Sequence, residues 1–130
     1  MSSKHNFLII ISSAFLALAV SSCYYDEVLE PLEPAVTGEV SFSKDIVPLL
    51  NKSCNTSGCH NTGGIKPDLT AAKAYDALTI GNYISVSSPE NSELYQWIRG
   101  KRGTPMPLSG PDATINAAVL AWIKQGAKNN

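Results

Sequence analysis

Two cysteines and a histidine fall within seven residues of this chain, in the run Cys54-Asn55-Thr56-Ser57-Gly58-Cys59-His60. No other feature constrains its fold as strongly. Thiol sulfur and imidazole nitrogen form covalent links and metal bonds more readily than other side-chain groups. A backbone that gathers them in one short segment must loop there and arrange the rest of the domain around whatever the loop holds. The chain has one other histidine, His5, and one other cysteine, Cys23.

The first 22 residues read as an export signal and not as part of the domain. Lys4 and His5 make a short basic start, and Phe7 to Val20 is apolar apart from Ser12 and Ser13. Such a run is too short for a membrane span. The sequence Val20-Ser21-Ser22-Cys23 resembles the lipobox of bacterial lipoproteins. That resemblance implies diacylation of Cys23, a mature chain beginning there, and anchorage in the bacterial cell envelope, facing the periplasm or the cell surface. Tyr24, where an aspartate would signal inner-membrane retention, favours the outer membrane. Exported chains meet oxidising conditions, so Cys54 and Cys59 are expected to be crosslinked, metal-bound or attached to a cofactor.

Between Cys23 and Glu39 every charge is negative: Asp26, Glu27, Glu30, Glu33 and Glu39, with Pro31 and Pro34 among them. Residues 23–39 therefore read as an extended acidic tether, and 40–130 as the domain. From Val40 onward there are nine basic and six acidic side chains, a net charge of +3. So small a balance argues against nucleic-acid binding.

Four helical segments are expected in the domain and no alternating strand, which makes it all-α. The first runs from about Ser43 or Asp45 to Ser53, with a start nearer Asp45 than Ser41 because Pro48 suits only a first turn. The second is capped by Thr70 and ends at Gly81. The third covers about Asn91 to Arg99, with Leu94, Trp97 and Ile98 inward. The last spans about Gly110 to Gln125, with Pro111 in its first turn and Ile115, Val119, Trp122 and Ile123 at helical spacing. Long loops rich in glycine and proline separate them. Four short helices of this kind bury little by themselves, and a large cofactor at the centre would supply the missing core.

Several chemistries are excluded or weakened by the inventory. Zinc held by Cys54, Cys59 and His60 would lack a fourth nitrogen or sulfur ligand in the mature chain. The cysteine spacing does not suit a thioredoxin-like pair. The only mature histidine adjoins Cys59, so there is no hydrolase triad, and no Gly-Lys-Ser/Thr follows the glycines to bind phosphate. A plain Cys54–Cys59 disulfide stays open. Met106, in Gly103-Thr104-Pro105-Met106-Pro107, is held between two prolines in a polar loop, a poor place for core packing and a stiff mount for a thioether.

Taken together, the helix leading into Cys54–His60, the Met106 loop and the terminal helix ending Ala121-Trp122-Ile123-Lys124-Gln125-Gly126-Ala127 resemble a small class I cytochrome c, over about residues 40–128. The four residues between the cysteines depart from the family's usual two. The resemblance implies a single covalent haem c, wrapped by the bundle and its loops and joined through Cys54 and Cys59. Its iron would be bound by His60 and Met106. The Pro67 carbonyl would accept from His60 Nδ1, and Leu69 would pack on the ring. It further implies that the first and last helices pack together.

The expected protein is thus an electron carrier and not an enzyme, lipid-anchored to the membrane, monomeric in its domain, and meeting redox partner proteins. Arg99, Lys101 and Arg102 are either a solvated helix end or a docking patch, and Tyr83 or Trp97 would suit a propionate. Two other outcomes stay open: a haem sensor or peroxidase-like domain if Met106 leaves the iron, and a haem-free interaction module if the cysteines pair.

Overall fold

The computed structural model describes residues 32–130. The expected signal segment, Cys23 and most of the expected acidic tether lie outside the described residues. The described chain is all-α: it carries no strand, and its α-helices are α1 (Val47–Ser53), α2 (Ala74–Ile80), α3 (Glu93–Ile98) and α4 (Ala113–Lys124). A π turn over Phe42–Ile46 leads into α1, and a 3-10 turn over Pro89–Asn91 precedes α3. No helix among the described residues is long and apolar enough to cross a membrane.

The π turn and α4 each begin where a side chain receives orphan N–H groups, and this shifts their starts from those expected. The first helical run begins at Phe42, not near Asp45. Ser41 caps it, its hydroxyl accepting from Lys44 N at 3.2 Å while Asp45 Oδ2 accepts from Ser41 N at 2.7 Å. The wide turn that follows, with Val47 N bonded to Phe42 O, brings the chain to Pro48 at the start of the α-helical part, where a missing N–H costs little. Thr70 opens only a turn, bonded to Lys73 N and Ala74 N through its carbonyl, and the α-helix proper begins at Ala74. At α4 the cap is Asp112, which accepts from Thr114 N and Ile115 N at 2.8 and 3.1 Å. Pro111 therefore precedes the helix instead of lying in its first turn.

The core joins the π turn and all four helices. Phe42, Tyr75 and Trp122 meet there, with ring centroids 5.0 Å apart for Phe42–Trp122 and 5.3 Å for Phe42–Tyr75. Offset and edge-on aromatic contacts of this kind add to the stabilisation from burial. Ile115, Val119, Trp122 and Ile123 are all buried along α4, which packs on the π turn and on α3. On α3 the buried aromatic is Tyr95 and not Trp97. Trp97 stays half-buried because its indole N–H is held by Glu93 Oε1, one turn earlier on the outer face, at 2.9 Å.

Two segments supply no buried residue to this core, though Cys54 packs against it. No residue from 51 to 67 or from 99 to 114 is buried. These are the stretches that carry Cys54, Cys59, His60 and Met106, and each also exposes a large apolar side chain: Ile65 is 60 % exposed and Leu108 70 %.

Candidate functional site

Helix α1 ends where the site begins. Cys54 N and Asn55 N both donate to Leu50 O, at 2.9 and 3.0 Å, and the chain then turns away from the helix axis. The four residues between the cysteines form a tight turn, closed by Cys59 N to Thr56 O at 2.9 Å, with Gly58 at φ +80°. That conformation favours glycine, which has no Cβ to clash. His60 N then donates to Cys54 O at 3.0 Å, so the turn brings the first cysteine back beside the histidine.

A second turn closes over the first. Ile65 N donates to Cys59 O at 2.8 Å, and Leu69 N donates to His60 O at 2.8 Å. Asn55 Nδ2 spans the base of the loop, bonded to Leu69 O at 3.2 Å and to Asn51 Oδ1 at 2.6 Å. Gly64 lies so close to the Cys59 carbonyl and to Asn61 Oδ1 that a Cβ there would collide with both. Absence of a side chain, not a positive φ, is what this position requires.

The imidazole is oriented from one edge. His60 Nδ1 lies 3.1 Å from the Ile65 carbonyl and 3.1 Å from the Pro67 carbonyl. Carbonyl oxygens only accept, so this contact requires the proton on Nδ1 and leaves the Nε2 lone pair available to a metal. Cys54 and Cys59 are free, half-buried thiols. Burial, and then the charge of Cys59 nearby, pushes the Cys54 thiol up to about 11.

The structure thus brings Cys54, Cys59, His60, Pro67 and Leu69 into one hydrogen-bonded loop. Leu69 is also part of the hydrophobic core. Met106 stands in the separate loop between α3 and α4, half-buried. Cys23 is outside the described residues. Among the described residues no group of three or more His, Cys, Asp and Glu side chains is arranged to hold a metal ion by itself.

Of the other residues singled out in the sequence, Trp97 and Arg102 both engage Glu93, Arg102 Nη2 at 2.7 Å from Glu93 Oε2. Arg99 lies over the Tyr95 ring, 5.3 Å from its centroid. Asp68 and Asn55 were not foreseen as part of the site. Asp68-Leu69-Thr70 does carry a sequence signal, since an aspartate two residues before a threonine N–H favours a local side-chain turn. No such signal marks Asn55. Comparison of the chain with family models, curated proteins and solved structures finds no match.

Proposed function

We propose that this chain is a lipid-anchored monohaem c-type cytochrome that carries electrons between partner proteins in the cell envelope. One observation carries the reading: in a loop that presents two free thiols, the adjacent histidine is held by backbone carbonyls at Nδ1, which leaves the Nε2 lone pair available to a metal. Two further observations support it. Residues 51–67 and 99–114 contribute no buried residue to the protein's own core, and they expose Ile65 and Leu108, apolar surface suited to a large flat ligand.

The residues fit such a group. Each of Cys54 and Cys59 would add its S–H across one vinyl group, sulfur to one carbon and hydrogen to the other, with no external oxidant or reductant. His60 Nε2 would bind the iron, and the Ile65 and Pro67 carbonyls would hold the ring in place. Met106 would supply a second ligand, a soft thioether that favours the reduced metal. Bound haem would supply the one-electron Fe(II)/Fe(III) couple. Iron held by both His60 and Met106 would leave no open position for a substrate, so the proposed role is transfer and not turnover. Acylated Cys23 would keep the domain at the membrane, in reach of partners confined to the same surface.

Mass analysis of the mature chain, purified from a host able to attach haem, tests these claims together. The expected mass includes one haem and a diacyl group, and the oxidised protein shows the far-red band of iron–methionine ligation, abolished by Met106→Ala. A haem-bearing protein in which Met106→Ala leaves the spectrum unchanged would point to an open-site haem protein. A mass lowered only by the hydrogens of a Cys54–Cys59 disulfide would overturn the electron-transfer reading.

A further inference from the structure

Asp68 is a charged side chain that the fold buries, 8 % exposed, in a domain whose other acidic groups are largely on the surface. Its partners lie on both sides of it. Oδ1 accepts from the Thr70 hydroxyl at 2.6 Å and from Thr70 N at 3.1 Å; Oδ2 accepts from the Thr62 hydroxyl at 3.2 Å and lies 3.6 Å from Lys73 Nζ. The Thr70 bonds are what a helix-entry turn requires. The Thr62 bond is not, because it reaches back across the loop to a residue two positions after His60.

The neighbours of Asp68 are the residues that grip His60. Pro67, just before it, places its carbonyl 3.1 Å from His60 Nδ1, and Leu69, just after it, donates its N–H to the His60 carbonyl at 2.8 Å. A carboxylate fixed to Thr62 on one side and Thr70 on the other therefore sets the peptide planes from which both grips arise. We propose that Asp68 is a positioning residue for His60: it does not touch the imidazole, but it aims the Pro67 carbonyl at Nδ1 and so governs how strongly Nε2 donates to a metal. The proposal rests on the reading of His60 as an iron ligand. A firm Nδ1–H···O bond increases electron donation by the ring and favours the oxidised metal. Loosening it favours the reduced one.

The test uses the full haem-loaded chain with Thr62→Val, which removes only the cross-loop bond, alongside Asp68→Asn and Asp68→Ala. All three are expected to raise the midpoint potential, Asp68→Ala most. The expected change in the oxidised-to-reduced ratio at fixed potential is several-fold, a tenfold change corresponding to about 59 mV for a one-electron couple. Faster solvent exchange of the His60 Nδ1 proton, followed by NMR in the reduced protein, is expected in the same order. Should Asp68→Ala fail to fold, Thr62→Val decides. An unchanged potential and unchanged Nδ1 exchange in Thr62→Val and Asp68→Asn, with only a lower melting temperature, would overturn the proposal and leave Asp68 a cap for the Thr70 turn. Whether haem is attached is read separately from the mass. If none is, the Nδ1 exchange rates of the same variants still decide whether Asp68 positions the ring.

Discussion

The Tyr95 hydroxyl donates a 2.8 Å hydrogen bond to Glu33 Oε1, joining the buried face of α3 to a segment 62 residues earlier in the chain. The acidic stretch that reads as a loose tether is thus fastened to the domain over its last part. Gln125 holds it further along: its Nε2 donates to Gly38 O at 3.0 Å and its Oε1 accepts from Val40 N at 2.8 Å. Lys128 pairs with Glu39 at 3.2 Å. Nine residues, 24–32, remain between the proposed lipid site Cys23 and Glu33, at most ~35 Å of extended chain.

This fastening has a measurable consequence. Burial, reinforced by Glu33, pushes the Tyr95 hydroxyl well above its usual range, so it stays a donor throughout ordinary pH. Tyr95→Phe is expected to cost about 1–2 kcal/mol and to speed amide exchange across residues 33–40. Unchanged exchange there would show that Gln125 and Lys128 hold the strap without Tyr95.

Gly64→Ala should damage the site loop. The added Cβ meets the Cys59 carbonyl, a backbone atom that cannot swing aside, and would displace the Ile65 N to Cys59 O bond. A loss of about 1–3 kcal/mol is expected from such overpacking, with a lower yield of haem-bearing protein. Gly103→Ala, where nothing lies within 4 Å, serves as the control and is expected to be neutral. Equal behaviour of the two variants would contradict the packing described for Gly64.

The raised Cys54 thiol predicts slow alkylation. With its value at about 11, only a small fraction is thiolate near neutral pH, and the thiolate is the reactive form. In folded, haem-free chain, modification of Cys54 by iodoacetamide should accelerate roughly tenfold per pH unit below that value. Unfolding in urea should raise the rate at fixed pH, because burial is the main cause of the shift. A rate indifferent to unfolding would mean that the thiol is already solvated.

Asp68 makes stability pH-dependent in a defined direction. Bonds from the Thr70 hydroxyl and N–H, with smaller help from Thr62 and Lys73, hold its carboxyl below the ordinary 3.8. The unfolded chain therefore takes up the proton first as pH falls. Stability contributed by the ionised group is full above the ordinary value and is lost as pH drops through the lower folded one. Denaturation midpoints measured across the acid range should fall more steeply for the wild type than for Asp68→Asn. Parallel curves would show that the carboxylate is not bonded in solution as it is in the structure.

The periodic part of the sequence was sufficient for the helix class and the core of α4, because Ile115, Val119, Trp122 and Ile123 recur at the spacing that puts them on one face. Helix starts were less legible. Pro48 does lie in the first turn of α1, but the π turn before it starts at the Ser41 cap, and Pro111 precedes α4 because the Asp112 carboxylate receives that helix's orphan N–H groups. On α3, apolarity alone favoured Trp97 as the inward aromatic; the bond from its indole to Glu93 holds it at the edge, and Tyr95 takes the interior.

What the sequence determined by itself is the chemistry on offer: two thiols and an imidazole in one short run, a methionine between two prolines, and helical periodicity on either side. Residue types and spacings are local properties, and one-dimensional order fixes them. Only the tertiary structure decided that Asp68 and Asn55 close the loop around His60, and that both Ile65 and Pro67 turn carbonyls to Nδ1. It likewise decided that Glu33 binds the strap to Tyr95. Those contacts depend on where non-periodic backbone comes to rest, which the packing of the whole domain fixes and no local pattern encodes.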